Sequence, residues 1–385
     1  MKHARTWMLL LLISATLPVR AAQVLAIKAD RVDTVAAGII ENGIIVIRDG
    51  RITAVGADIP IPDDAEIIEA TDQTVFPGLI NPFSHAGLSS ATSGYYMIFS
   101  GRSYFIRTSS GGSSSNPHHR VVDELYPHQD VYRHILQAGF TTVALSPRTG
   151  TIAGQGTVIR PDGDTPDTMT LSESGLLMSY FSAGSAQSTL KSALESGKRQ
   201  PSSADPKVAP LARVVKGELP LLIRCSAPGD TVHLLKLIKG YDKLKLALIC
   251  GPENSHLAED IAKRKIPVII PARVDKEPYT SNRINVAYTL AKAGVKIACY
   301  PVSDSQMGHA DFLRQMAELV KAGLDKETAK KAITLHPAEI LGLDYRLGSI
   351  EKGKDANLLI LSGDPLAVST RIQRIIIEGK TVFQN

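Results

Sequence analysis

From about residue 75 to residue 337, short apolar runs alternate with amphipathic stretches, and few folds accommodate that alternation. The runs at 75–81, 140–146 ("FTTVALS"), 156–161 ("GTVIRP"), 219–227 ("LPLLIRCSA"), 245–252 ("KLALICGP"), 266–272 ("IPVIIPA") and 295–302 ("VKIACYPV") have the length and apolar content of strands. Between several of them lie "DTVHLLKLIKG", "HLAEDIAKRK", "INVAYTLAKAG" and "DFLRQMAELVKAG", with apolar residues at helical spacing. Apolar strands followed by amphipathic helices imply a parallel sheet covered by helices. Seven or eight such units over roughly 260 residues fit a (β/α)8 TIM-like barrel. An open, doubly wound sheet is the alternative, and no Gly-rich phosphate fingerprint opens the first unit to favour it.

Both chain ends read differently. "GIIVIRDGRITAVG" is two β runs joined by Asp49-Gly50, and "RIIIEGKTVF" is two joined by Glu378-Gly379. Such pairs mark tight hairpins because glycine tolerates positive φ. "DAEIIEA" and "NLLILSGDP" add further β runs, so the two ends are β-rich around a mixed centre.

The first residues have another character. Lys2 and Arg5 precede an apolar run from Trp7 to Leu17, and Val19 and Ala21 provide a small-x-small pattern. This predicts a secretory signal peptide at residues 1–21 and an exported, periplasmic or extracellular protein. The run is shorter than the ~20 residues a membrane span needs, and no later stretch reaches that length. Removing Lys2, Arg5 and Arg20 takes the formal net charge from +5 to +2, too little to argue for a nucleic-acid partner. Three cysteines, at 225, 250 and 299, are an odd number and not a disulfide framework.

Residues 86–120 interrupt the alternation with a Ser- and Gly-rich segment. A long connection after the first strand would lie over the C-terminal mouth of a barrel, where such folds place their sites. Tyr95, Tyr96, Phe99, Tyr104 and Phe105 are then candidates to face a ligand; the plainer reading is a surface loop whose aromatics pack locally. His118, His119 and His128 read as solvated loop residues, and His134 and His233 lie in helical patterns. The hydroxyl-rich stretches at 172–174 and in "GGSSS" lack the Gly-x-Ser-x-Gly elbow of a serine hydrolase.

Four segments carry a resemblance: Pro77-Gly78-Leu79-Ile80, "AGFTTVALSP" (138–147), "GQGTVIR" (154–160) and "HPAEILGLDYRLGSIEKGKDANLLIL" (336–361). Together they resemble the amidohydrolase superfamily, and within it the imidazolonepropionase-like amidohydrolases, over nearly the whole chain after residue 21. The resemblance implies a barrel over about 77–337 and a small β-sandwich built from 22–76 and 338–385. It implies hydrolysis of cyclic amides and related C–N bonds by one or two divalent ions, Zn²⁺ foremost, that activate a water. In that family the ligands are a His-x-His pair after strand 1, often a carboxylated Lys after strand 4, a His after each of strands 5 and 6, and an Asp after strand 8.

Carried over, the pair becomes Phe83 and His85, and residues 161–190 contain no lysine. The strand 5 position falls at Arg224 to Ser226, the strand 6 position at Cys250, and strand 8 offers Asp304. His85 and Asp304 are therefore the surviving candidates, as metal ligand and as catalytic general base. Cys250, near Cys225 and Cys299, is a possible replacement ligand. Arg224 is a candidate for substrate binding and, pointing inward, would oppose a cation, while Phe83 would fill an ion's place. His85 and Asp304 could alternatively form an acid–base pair, strands 1 and 8 being neighbours in a closed barrel. Two readings follow. One is a C–N hydrolase with weakened metal use. The other is a non-catalytic relative that binds a small molecule, or a partner such as an active amidohydrolase, with no metal.

Overall fold

The computed structural model describes residues 24–88, 114–171, 175–276 and 281–385, with the backbone alone of 95–100 and 103–108. The expected signal segment and the 172–174 hydroxyl cluster lie outside the described residues. No described helix is long and apolar enough to cross a membrane.

The chain opens with strands β1 (Val24–Asp33), β2 (Ile39–Arg48), β3 (Arg51–Gly56) and β4 (Glu66–Pro77). Asp49 (φ 50°) and Gly50 (φ 78°) make the turn between β2 and β3, with Arg48 opposite Arg51, as their sequence predicts. The chain closes with Leu358–Leu361, Ile372–Ile377 and Lys380–Gln384, the last two joined through Glu378 (φ 46°) and Gly379 (φ 74°). Leu358–Leu361 pairs antiparallel with β4, so the two ends of the chain join in one seven-stranded sheet. In Leu358–Leu361 every residue is buried. Leu358 and Ile360 pack with Ile27, Ile45, Ile47 and Val75, while Leu359 and Leu361 pack into the core that reaches the barrel. Side chains alternate across a strand, so an uninterrupted apolar run is what a sheet buried on both faces requires.

The barrel is built from β5 (Leu79–Ser84), β8 (Phe140–Leu145), β9 (Ile152–Ile159), β10 (Leu176–Phe181), β11 (Leu221–Cys225), β12 (Leu246–Cys250), β13 (Val268–Pro271) and β16 (Ile297–Tyr300). Two short hairpins lie between these strands: β6 (Tyr95–Ser100) with β7 (Ser103–Thr108), and β14 (Asp275–Lys276) with β15 (Arg283–Ile284). The eight-stranded sheet runs β16-β13-β12-β11-β10-β9-β8-β5, in sequence order around a nearly closed barrel.

The expectation of a wholly parallel barrel needs one correction. β9 is antiparallel to both β8 and β10. Only residues 146–151 separate β8 from β9. A parallel return needs a crossover of about a dozen residues or more, whereas a short link can only reverse direction.

β5 and β16 share no ladder, yet they close the barrel by other means. Ile80 and Phe83 pack with Ala298 inside the barrel, and the Phe83 and Tyr300 rings meet edge-on at 5.4 Å. Gly78, between β4 and β5, donates its N–H to the Asn357 carbonyl at 2.8 Å. A Cβ there would lie 2.1 Å from the Thr141 hydroxyl, which explains a glycine in "PGLI" at the crossing from sheet to barrel. Helices cover the outside. In Phe312–Lys321, Phe312, Met316 and Leu319 face the core at helical spacing, while Arg314 and Glu318 pair at 2.6 Å on the other side.

Candidate functional site

The mouth of the barrel is where the strand ends converge, and its side chains follow from strand alternation. Leu222, Ala247, Ile249, Ile269, Ala298 and Met178 line the interior. Two residues further along their strands, Arg224, Tyr180 and Tyr300 continue the same faces to the rim, each half-buried. The intervening residues Cys225, Cys250 and Cys299 pack instead with the core beneath the helices. This corrects the expectation of Cys250 as a replacement ligand beside His85. Burial also opposes thiolate formation: it pushes Cys225 and Cys299 up to about 12, and pushes Cys250 up as well.

Phe83 is buried near the end of β5. Its ring lies edge-on to His85, with centroids 4.8 Å apart, and the Arg224 guanidinium carbon sits 5.8 Å from its centre. Among the described residues Arg224 makes no hydrogen bond or ion pair, and its guanidinium lies over the Phe83 ring.

His85 is held through its other nitrogen. Nδ1 lies 2.6 Å from the Ser146 carbonyl, an acceptor only, so in the neutral ring Nδ1 carries the proton and Nε2 the lone pair. Nε2 faces the Tyr180 hydroxyl at 3.4 Å, but that hydroxyl donates to the Pro147 carbonyl at 2.9 Å. Burial lowers the His85 pKa, against the opposing effects of the Ser146 bond and the Asp304 charge, so the ring is neutral at pH 7. Arg148 donates to the His85 carbonyl at 3.0 Å and so fixes the residue's backbone too.

Asp304 does lie beside His85, but not as the other half of an acid–base pair. Its Oδ1 accepts from the Ser84 hydroxyl at 2.6 Å and its Oδ2 from the His85 backbone N–H at 2.9 Å. The carboxylate thereby ties the chain after β16 to the end of β5, across the seam that lacks a ladder. The His85 imidazole turns to Ser146 instead. Among the described residues no group of three His, Cys, Asp or Glu is placed to hold a metal ion. His85 and Asp304 are one short of the three protein ligands that a catalytic zinc uses.

Tyr95 and Tyr96 lie on β6, opposite Thr108 and Arg107 of β7. The segment expected to be a loop thus contains a hairpin, and the proposed role of these two side chains falls outside the described residues.

The amidohydrolase family profile matches residues 230–382. An imidazolonepropionase of Geobacillus sp. (strain WCH70) is 39% identical over 82 residues, 19% of each chain. An adenine deaminase of Clostridium botulinum (strain 657 / Type Ba4) is 22% identical over 376 residues, covering 90% of this chain and 55% of that protein. The chain therefore spans about half the length of that curated relative. An amidohydrolase from Thermotoga maritima MSB8 shares the fold, with a TM-score of 0.79 at 22% identity over 94% of this chain and all of that one. Over residues 230–382 the chain is thus similar to the amidohydrolase family. An adenosine deaminase from Xanthomonas campestris with bound zinc has the same general fold, with a TM-score of 0.53 at 18% identity over 93% of this chain and 92% of that one.

Within this barrel, sequence reasoning missed Tyr180 and Tyr300. Period two in "LLMSYF" and "IACYP" was the available signal, because each tyrosine follows a lumen-facing residue by two.

His85, His309 and His336 share one arrangement. Each is lowered chiefly by burial, and each Nδ1 meets a backbone carbonyl, at 2.6, 2.9 and 2.8 Å respectively. A folded pKa below the unfolded value means that the unfolded chain binds the extra protons. Their contribution is whole above the unfolded value of about 6.5 and is lost as the pH falls below it. Thermal melting from about pH 7.5 down to about pH 5 should show a falling midpoint. A flat profile across that range would count against neutral burial of these rings.

Proposed function

We propose that this chain is an amidohydrolase-superfamily protein whose barrel mouth binds a small molecule and no longer generates metal hydroxide. Hydrolysis of C–N bonds, which the family resemblance implies, is impaired or lost. One observation carries the reading: Phe83, near the end of β5, fills one of the two paired positions, and the Arg224 guanidinium points at it. A fixed cation and an aromatic ring replace donors where a dication would need them. The same reading takes the seven-stranded sheet as the small composite sandwich of the family, and residues 1–21 as a secretory signal that exports the protein to the periplasm or beyond. A related active amidohydrolase is a candidate partner.

The second reading, a hydrolase with weakened metal use, draws on one feature. The Nδ1–H of His85 is bonded to a carbonyl, leaving Nε2 free, as in a typical metal-ligating histidine. Elemental analysis of the purified protein, paired with hydrolysis assays on cyclic amides and N-acyl amino acids, separates the two. The binding reading expects zinc well below one equivalent and no turnover above buffer. One tightly held equivalent with turnover that a chelator abolishes would establish the hydrolase.

A further inference from the structure

The mouth holds an imbalance of charge. Asp304 spends both oxygens on Ser84 and on the His85 N–H. Arg273, also near the rim, is tied to Asp275 at 2.7 Å. Arg224 has no such counterion among the described residues, although it is half-buried and its charge is felt at His85, Tyr180 and Tyr300. An arginine fork without a carboxylate, partly removed from water, is a receptor for an oxyanion, because charge-assisted and bidentate hydrogen bonds are strongest there.

The surroundings supply some room. Tyr180 stands beside Arg224 in the parallel register of β10 and β11. Its hydroxyl donates to Pro147, and Pro147 borders a cavity of about 400 Å³ that Arg148 and Ala153 also line. Ala153 belongs to the barrel interior, so this cavity adjoins the mouth. Arg148 places a positive charge on its wall, where Glu124, 3.3 Å from the His119 Nε2, places a negative one.

We infer that Arg224 binds the oxyanion of a small organic acid or phosphate ester at the barrel mouth. The body of that molecule extends along Phe83 toward the cavity beside Arg148. The guanidinium takes over the charge that a metal ion would otherwise supply, and it selects anionic over neutral ligands. This inference rests on the reading of the mouth as a metal-free binding site and names its ligand class.

Isothermal titration with succinate, inorganic phosphate and neutral succinamide tests it, using the wild-type chain and the variants Arg224→Met and Arg224→Lys. Melting curves establish that each variant folds. One of the two anions should bind saturably, and the one that does identifies carboxylate or phosphate as the chemistry recognised. Arg224→Met should weaken binding by about ten- to a hundredfold, the range for a hydrogen bond to a charged group, and Arg224→Lys should weaken it less. Absence of saturable binding by either anion, affinity unchanged in Arg224→Met, or equal binding of succinamide would overturn the inference. Repeating the titration after treatment with a chelator separates this inference from the metal-free reading. Zinc found alongside intact Arg224-dependent binding refutes that reading alone. Anion affinity that disappears with the zinc refutes both.

Discussion

Lys330→Ala is expected to lower the stability of the chain by about 3–5 kcal/mol, the range for removing one partner of a buried ion pair. Lys330 is 1% exposed and lies on a helix of the barrel layer, Lys326–Ile333. Its Nζ is 2.6 Å from the carboxylate of Asp33, itself 2% exposed at the end of β1, and 2.8 Å from the more exposed Glu327. The pair therefore joins barrel to sheet. The alanine leaves the Asp33 charge buried with one backbone bond, from the Val35 N–H. Urea denaturation measures the loss, and Asp33→Asn combined with Lys330→Met should recover most of it, because neither then carries a charge. A loss below about 1 kcal/mol would place the pair among surface salt bridges in energetic terms. Burial disfavours the Lys330 charge, but Asp33 and Glu327 outweigh it and hold the ammonium above its ordinary range. Its contribution is thus fully present below the unfolded value of about 10.5 and disappears as the pH rises through the higher folded value. The Lys330→Ala penalty should accordingly stay constant across neutral pH.

The second large effect concerns the metal. Phe83→His alone should bind zinc weakly, and the double variant Phe83→His with Arg224→Ala should bind it at least on the order of a thousandfold more tightly. An ion at the present centre of the Phe83 ring would sit 5.8 Å from the Arg224 guanidinium carbon. At that separation, with an effective dielectric near 20, a dication is repelled by about 6 kcal/mol. The new imidazole, His85 and Asp304 would make three protein donors, the usual number for a catalytic zinc. Competition against a coloured chelator measures both affinities. Equal affinities would show that the guanidinium does not govern cation access, and would weaken the case for an anion in its place.

Much of the fold was legible because its rules are local. The alternation of apolar runs with amphipathic helices foretold a barrel, and Asp49-Gly50 and Glu378-Gly379 foretold the two hairpins at the chain ends. The strand 9 segment was legible as a strand but misread in direction. The six residues from 146 to 151 were the overlooked signal, since no crossover helix fits in them. At the site, matching motifs picked out Phe83, His85, Arg224 and Asp304, and all four are in or beside the barrel mouth. Cys250 came from the same alignment but falls on the opposite face of its strand. Counting by twos from Ala247 and Ile249 separates it from the lumen.

Residue types and their spacing thus prescribed which segments become strands, where the chain turns back, and which few side chains reach the end of the barrel. They act over a handful of neighbouring residues, and a single chain carries that information openly. The partners of the polar atoms came only with folding. Asp304 is 219 residues from the His85 N–H it accepts, and Ser146 is 61 residues from the imidazole it orients. Which of several available acceptors a side chain takes depends on how β5, β8 and β16 stand against one another. That packing settles atoms to within a bond length, where residue patterns settle only the side of a strand.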